Sequence, residues 1–240
     1  MLSKNQRKQI LQLSKKKYRL SSGLFIAEGE KLVNDLIESG WSFKMLFTIN
    51  NHFHPEANLL TFDEMKMITH FKTPSPVLGI FNLPINKDIL AEPITIALDG
   101  ISDPGNLGTI IRLCDWFGLS ELICSNDTVD CFNPKVIQAS MGSIVRVCCH
   151  YVEDLGATLK NLKKPIYGTS ANGESIYKTR LSQKASYVFG SESHGISFSV
   201  SDYLNCVYSI PQFRNGSSKA ESLNVATTST IFLSELFRET

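Results

Sequence analysis

The chain has 240 residues, 42% of them hydrophobic and 20% charged, which is the composition of an ordinary globular protein with room for one large or two modest domains. No apolar run approaches the ~18 residues that a membrane-spanning helix requires, and no apolar segment follows the N-terminal basic residues as in a secretory leader, so a cytoplasmic protein is expected. The formal net charge of +1 hides an asymmetry: Lys4, Arg7, Lys8, Lys15, Lys16, Lys17 and Arg19 precede the first acidic residue. A basic leader on an otherwise acidic chain points to a polyanion, although a solvated N-terminus accounts for the charge equally well. Six cysteines (Cys114, Cys124, Cys131, Cys148, Cys149 and Cys206) show no C-x-x-C spacing and sit mostly in apolar runs. Reduced, buried thiols are expected, and no metal site.

In chain order, residues 4–20 predict a basic helix. After Leu24–Gly29, apolar residues at Leu32, Val33, Leu36 and Ile37 predict a second helix that Gly40 stops. Lys44–Ile49 reads as a strand, Phe62–Thr69 as a short helix, and Val77–Phe81 as a strand beyond the breakers Pro74 and Pro76. Residues 83–93 suit a linker. The expected division is a small α/β domain over residues 1–90 and a second domain over residues 91–240.

From Ile94 onward the pattern is a regular strand–helix alternation. Apolar runs at Ile94–Leu98, Glu121–Cys124, Val145–Tyr151, Ile166–Gly168, Tyr187–Gly190 and Cys206–Ile210 alternate with helical stretches at Leu107–Phe117, Pro134–Ile144 and Val152–Leu162. Such alternation predicts a mainly parallel sheet covered on both faces. Ligands of these sheets bind outside the carboxyl ends of the strands. The segments 99–106, 169–173, 190–195 and 210–222 all follow strand ends and are expected on one edge.

Three segments on that edge carry chemistry. The first runs Leu98-Asp99-Gly100-Ile101-Ser102-Asp103-Pro104-Gly105-Asn106-Leu107-Gly108 to Arg112: a strand end, a Pro-Gly turn and a helix start. It lacks both the Rossmann G-x-G-x-x-G and a G-K-[ST], so a nucleotide-dependent enzyme with a Rossmann-like sheet is disfavoured; by itself the segment reads as a tight loop with a surface arginine. The second is Gly190-Ser191-Glu192-Ser193-His194-Gly195. Its spacing is one residue too long for the G-x-S-x-G elbow of serine hydrolases, and no histidine follows it, so Glu192 reads either as a substrate-positioning acid or as a solvated one. The third is Ile210-Pro211 followed by Glu221-Ser222-Leu223-Asn224-Val225, which enters the last helix. Helix-start N–H groups lack internal partners, so this segment suits a small polar ligand; the plainer reading is a helix capped by Ser222.

Taken together, the three segments resemble the TrmH/SpoU family, RNA ribose 2′-O-methyltransferases of the SPOUT class. The family pattern N-x-G-x-x-x-R, G-x-E-x-x-G and I-P … S-L-N-V stands here as Asn106-Leu107-Gly108 … Arg112, Gly190-Ser191-Glu192-Ser193-His194-Gly195 and Ile210-Pro211 … Ser222-Leu223-Asn224-Val225. Asn133-Pro134-Lys135 … Ser140-Met141-Gly142-Ser143 also looks like a family stretch. Phe25-Ile26-Ala27-Glu28-Gly29-Glu30-Lys31 is similar to the start of the ribosomal-protein-like RNA-binding domain that often precedes the catalytic one.

The resemblance implies a trefoil-knotted SPOUT domain and a homodimer with active sites at the subunit interface. It implies S-adenosylmethionine as methyl donor and structured RNA as substrate, ribosomal RNA ahead of transfer RNA. A catalytically silent module of the same fold is the other class, and the presence of Arg112 and Asn224 speaks against it. Asn106, Arg112, Glu192, Ser222 and Asn224 are the implied catalytic group; Thr169, Gly190, Ile210 and Leu223 the implied donor-binding group. A guanidinium holds its proton, so Arg112 is expected to bind phosphate and stabilise alkoxide charge rather than act as a base. The loop at 212–221, with Arg214 and Lys219, is longer than the family usually has.

Overall fold

The computed structural model describes residues 2–85, 87–90, 92–213 and 222–238, so Arg214 and Lys219 of the long loop lie outside the described residues. The chain divides into two compact units: Met1–Asn86 with Asp130–Val145, and Lys87–Val129 with Arg146–Thr240.

The first unit opens with α1 (Lys4–Gln12), whose start is fixed by a reciprocal pair, Ser3 accepting from the Gln6 amide and Gln6 from that of Ser3. The single basic helix expected over residues 4–20 is two helices, α1 and α2 (Lys16–Ser22). The reason is Arg19. Its Nη1 donates to the Leu13 carbonyl at 2.8 Å, taking the oxygen that a continuous helix would bond to residue 17. Nε and Nη2 of the same side chain both bond Asp130 Oδ2, and Arg19 is buried at 2% exposure. One of the seven leading basic residues is therefore committed to the interior.

Four strands follow: β1 (Leu24–Glu28), β2 (Phe43–Thr48), β3 (Asn58–Leu59) and β4 (Val77–Asn82), with α3 (Glu30–Glu38) after β1 and α4 (Phe62–Lys66) after β3. The sheet order is β1-β4-β2-β3, antiparallel except for the short β2/β3 pair. On one side Ile26, Phe47, Leu78 and Ile80 join Ile10 and Leu13 of the leading helices in a common core. On the other, Phe25 meets Phe81, Trp41 and Phe132, with ring centroids 5.7, 5.7 and 4.9 Å away. Phe132 arrives on a segment far along the chain, which continues as α6 (Pro134–Ala139) and packs on β1. This α6 is shorter than the helix expected over 134–144: it ends at Ser140, whose hydroxyl turns back to the Ile137 carbonyl, and Met141 then takes a φ of 51°.

The second unit contains β5 (Ile94–Asp99), α5 (Pro104–Trp116), β6 (Glu121–Ser125), β7 (Cys148–Val152), α7 (Leu155–Asn161), β8 (Ile166–Ser175), β9 (Ala185–Gly190), α8 (Phe198–Ser201), β10 (Cys206–Ser209) and α9 (Val225–Leu236). All six strands are parallel, in the order β10-β8-β9-β5-β6-β7. Alternation along β9 sorts the two faces. Val188 packs with Ala97, Ile123, Leu155, Leu159 and Val200, so α7 and α8 cover that side. Phe189 meets Phe232 of α9 edge-on at 5.6 Å, and α9 packs on α5, so these two helices cover the opposite side.

The connections position the site. From β5 the chain moves to β6 and β7 on one side, whereas β9 is entered from β8 on the other. The β5/β9 pair is thus the switch point, outside whose carboxyl ends ligands of such sheets bind. That pair ends in the register match of Asp99 with Gly190.

Candidate active site

Past the end of β5, Asp103 caps α5, its Oδ1 accepting the Asn106 amide at 2.9 Å, and Pro104 occupies the first helical position, where no N–H is needed. This fixes Asn106 in the first turn. Its Nδ2 donates to Glu192 Oε1 at 2.8 Å. Glu192 comes from the loop after β9, and Asn224 from the start of α9. Asn224 Nδ2 reaches both Glu192 Oε1 (2.7 Å) and Asn106 Oδ1 (3.0 Å), and the Val225 amide adds a longer bond of 3.4 Å to Glu192. Residues separated by up to 118 positions thus share one carboxylate oxygen. The positive end of the α9 dipole further favours the charge there.

The helix cap differs from the sequence expectation. Asn224, not Ser222, is the N-cap: its Oδ1 accepts from Ala226 (2.9 Å) and Thr227 (3.3 Å). Ser222 and Leu223 precede it as exposed residues. The first N–H groups of α9, expected to hold a ligand, are therefore filled by the protein's own Asn224 and Glu192.

The Glu192 loop is closed tightly. Ser191 and Gly195 exchange both backbone bonds, and Gly195 has a φ of 68°. The loop folds back over Gly190 so closely that a Cβ there would lie 2.2 Å from the Gly195 carbonyl carbon. Glycine at 190 is thus required by loop closure. Beyond the turn, the buried carboxylate of Asp99 accepts the Ser197 amide at 2.7 Å and ties the loop's far end to β5. Ile101, Ser102, Asp103, Asn106, Glu192, Ser193 and Val225 line a cavity of about 150 Å³ at this corner.

Of the residues expected to carry catalysis, Asn106, Glu192 and Asn224 are joined directly. Arg112 is not: it lies six residues along α5, roughly 9 Å by helical rise, on an exposed stripe with Gly105, Thr109 and Trp116. Among the described residues its guanidinium makes no hydrogen bond or ion pair. Of the expected donor-binding residues, Thr169 opens an excursion at the carboxyl end of the β8/β10 ladder: Val207 pairs with Gly168 but Tyr208 with Glu174, leaving residues 169–173 outside the pairing. Thr169 Oγ1 donates to the Val188 carbonyl at 3.2 Å. Ile210 is half-buried directly after β10, and Leu223 is 47% exposed before α9. The sequence reading assigns no role to Asp99, Asp103 or Ser193. The Asp-Pro pair at 103–104 is a legible helix-start signal; nothing local marks Asp99.

Elsewhere, burial pushes the Cys114 thiol up to about 12, with Asp115 adding to the effect, so this cysteine is no nucleophile. Among the described residues no cluster of three or more His, Cys, Asp or Glu side chains is arranged to hold a metal, and no helix is long and apolar enough to cross a membrane.

The SpoU rRNA methylase family model matches residues 93–234, and that of the MRM3-like substrate-binding domain matches residues 4–79. Over 98% of its length the chain is 28% identical to the 23S rRNA (guanosine(2553)-2′-O)-methyltransferase RlmP of Bacillus subtilis, covering 97% of that protein. Among solved structures, a protein assigned to the TrmH family of RNA methyltransferases from Porphyromonas gingivalis superposes with a TM-score of 0.86 at 34% identity, both chains covered completely. An AdoMet-bound rRNA methyltransferase from Sinorhizobium meliloti superposes with a TM-score of 0.85 at 28% identity, covering 99% of this chain and 96% of that one.

Proposed function

The chain belongs to the SpoU rRNA methylase family, and from that premise we infer that it moves a methyl group from S-adenosylmethionine to a ribose 2′-hydroxyl of ribosomal RNA. The observation that carries this reading is the junction of Asn106, Glu192 and Asn224 at the β5/β9 switch point.

The residues on this edge fit the donor. Gly190 admits no side chain, residues 169–173 swing out of the β8/β10 ladder, and the apolar Ile210 and Leu223 directly follow β10 and precede α9. Backbone groups beside small and apolar side chains suit an adenosyl and methionyl ligand better than a phosphate-rich nucleotide. Thr169, Gly190, Ile210 and Leu223 would line its pocket. When bound, the sulfonium supplies an electrophilic methyl carbon.

The remaining chemistry falls to the chain itself. Asn106, Glu192 and Asn224 form a rigid hydrogen-bonded frame that orients the ribose beside the methyl; alignment of this kind accounts for several kcal/mol of barrier lowering, up to roughly 7–11. Ser222, exposed two residues ahead of Asn224, would add a further hydrogen bond to the substrate. Arg112 offers a permanent positive charge to the substrate phosphate and to the developing alkoxide. The first unit, with its exposed lysines, supplies the second grip on RNA.

We further place the protein in the cytoplasm as a homodimer with a trefoil-knotted catalytic domain, its α5 stripe of Thr109, Arg112 and Trp116 facing the partner copy. Trp116, at 82% exposure on the same stripe, supports the dimer alone, because pairing would take a large apolar ring out of water.

The test is to map 2′-O-methylation across total RNA from cells with and without the protein, then to repeat the transfer with purified components. A ribosomal ribose that loses its methyl without the protein is the expected result. Loss confined to transfer RNA, or to base methyls, would refute the reading.

A further inference from the structure

Phe198 is 93% exposed, the barest phenylalanine among the described residues. It opens α8 directly after Ser197, whose amide is held by the Asp99 carboxylate at the end of β5. Ile101, two residues past Asp99, is already a wall of the cavity, and Glu192 lies six residues before Phe198 on the same connection. The ring therefore stands on the carboxyl edge of the sheet, the edge that carries the site.

The backbone under the ring is fixed. Ile196 packs against the core of Ala97, Val188 and Val200, and Val200 is itself buried at 2%. The Ser197 carbonyl accepts the amides of Val200 at 3.1 Å and Ser201 at 2.9 Å. Anchored on both sides, Phe198 has only two side-chain torsions to lose when something covers it. Helix formation does not account for the residue. A first turn is best served by proline or an acid, and a bare ring gains nothing from burial. Nor does the partner copy account for it. The helix α8 covers the sheet face opposite α5, away from the stripe assigned to the dimer.

The substrate does account for it. A cavity of about 150 Å³ does not house a polynucleotide, so the nucleotides on either side of the reacting ribose run along the sheet edge. RNA read in loops and single strands presents unstacked bases, and proteins receive them on aromatic faces. Resting on the methyl-transfer reading, we propose that Phe198 is a stacking platform for a base of the substrate RNA that flanks the reacting ribose. Every base has a π-face, so the contact positions the strand and leaves its sequence open. The ring takes no part in the chemical step.

The experiment measures binding of the full chain to a ribosomal RNA fragment that carries the ribose identified by mapping. Wild type is compared with Phe198→Ala, Phe198→Leu and Phe198→Tyr at several salt concentrations. Phe198→Ala should lose about 5- to 150-fold in RNA affinity, with donor affinity and melting temperature unchanged. The slope of log affinity against log salt should stay at the wild-type value, because no phosphate contact is lost. Phe198→Tyr should bind as wild type does, and Phe198→Leu should not. Single abasic nucleotides placed beside the target should include one that weakens wild type by a similar factor and Phe198→Ala hardly at all. Unchanged RNA affinity in Phe198→Ala overturns the platform, as does a Phe198→Leu variant that binds like wild type. A Phe198→Ala dimer that falls apart while its RNA affinity holds gives the ring to the partner copy and overturns the platform too. A wild type that binds and methylates no RNA overturns the underlying reading and this inference with it.

Discussion

Asn224 serves two structures at once: its Oδ1 caps α9 while its Nδ2, at 2.7 Å, holds the Glu192 carboxylate. One amide therefore joins helix stability to the geometry of the site. Replacing it with alanine removes both roles. The lost cap costs about 0.5–2 kcal/mol, and at about 2–4 °C per kcal/mol for a chain of this size the melting temperature should fall by roughly 1–8 °C. Asn224→Ser restores an acceptor for the helix without an amide donor for Glu192. Melting should recover in that variant while methyl transfer stays at least ~10-fold down, as calorimetry beside a transfer assay would register.

Arg112 is exposed and outside the hydrogen-bonded frame. Arg112→Ala should leave melting and donor affinity nearly unchanged while lowering methyl transfer by about 10²–10³-fold, the usual loss on removing a charge stabiliser. Equal loss of donor binding, measured by calorimetric titration, would make Arg112 a folding residue instead.

Arg19 and the lysines around it should separate cleanly. Arg19→Met strands Asp130, itself only 13% exposed, without its counter-charge, and should cost about 3–5 kcal/mol in urea unfolding. Lys8, Lys15 and Lys17 are exposed. Changing those three to glutamine should leave unfolding alone and weaken RNA binding. The slope of log affinity against log salt should fall by about 0.7–0.9 for each phosphate that is no longer neutralised.

Burial pulls the Lys164 ammonium down to about 8, against the opposing pull of Glu92 and Glu121. Its Nζ donates to the Glu92 and Pro93 carbonyls and to Thr95 Oγ1. Because the folded-state value lies below the unfolded one of ~10.4, the unfolded chain holds more protons between the two. Stability should therefore rise with pH above about 8. Urea melts from pH 7.5 to 9.5 should show that rise, and Lys164→Gln should flatten it. The window stays below the range where Tyr187 and Tyr208, both raised first by burial, would begin to act in the opposite sense.

Much of the second unit is legible in the sequence because its strands are short apolar runs bounded by turn residues, except for β8, which runs on from Gly168 through polar residues to Ser175, and the three chemical segments fall at strand ends. The assembly of the site is not. Glu192 read by itself is a loop acid, since its partners stand 86 and 32 residues away and no spacing rule connects them. Ser222 reads as the cap because serine is a good one, yet a residue two positions on, with both an acceptor and a donor, takes the role. Arg19 reads as one of the polyanion-binding residues because its counter-charge lies 111 positions downstream. The break between α1 and α2 has the same cause, for it is that guanidinium which captures the Leu13 carbonyl. Local pattern predicts local structure; these features depend on side chains meeting across the fold.

The first unit borrows Asp130–Val145 from deep within the sequence of the second. On a ribosome, where residues emerge in order at about 5–20 per second, this has a consequence for timing. When residue 86 has been added, the Phe25 ring cluster still lacks Phe132, and Arg19 has no anion to meet. The N-terminal part must wait, incomplete, for about sixty further residues. An excised fragment ending at the first boundary would remain in that waiting condition indefinitely.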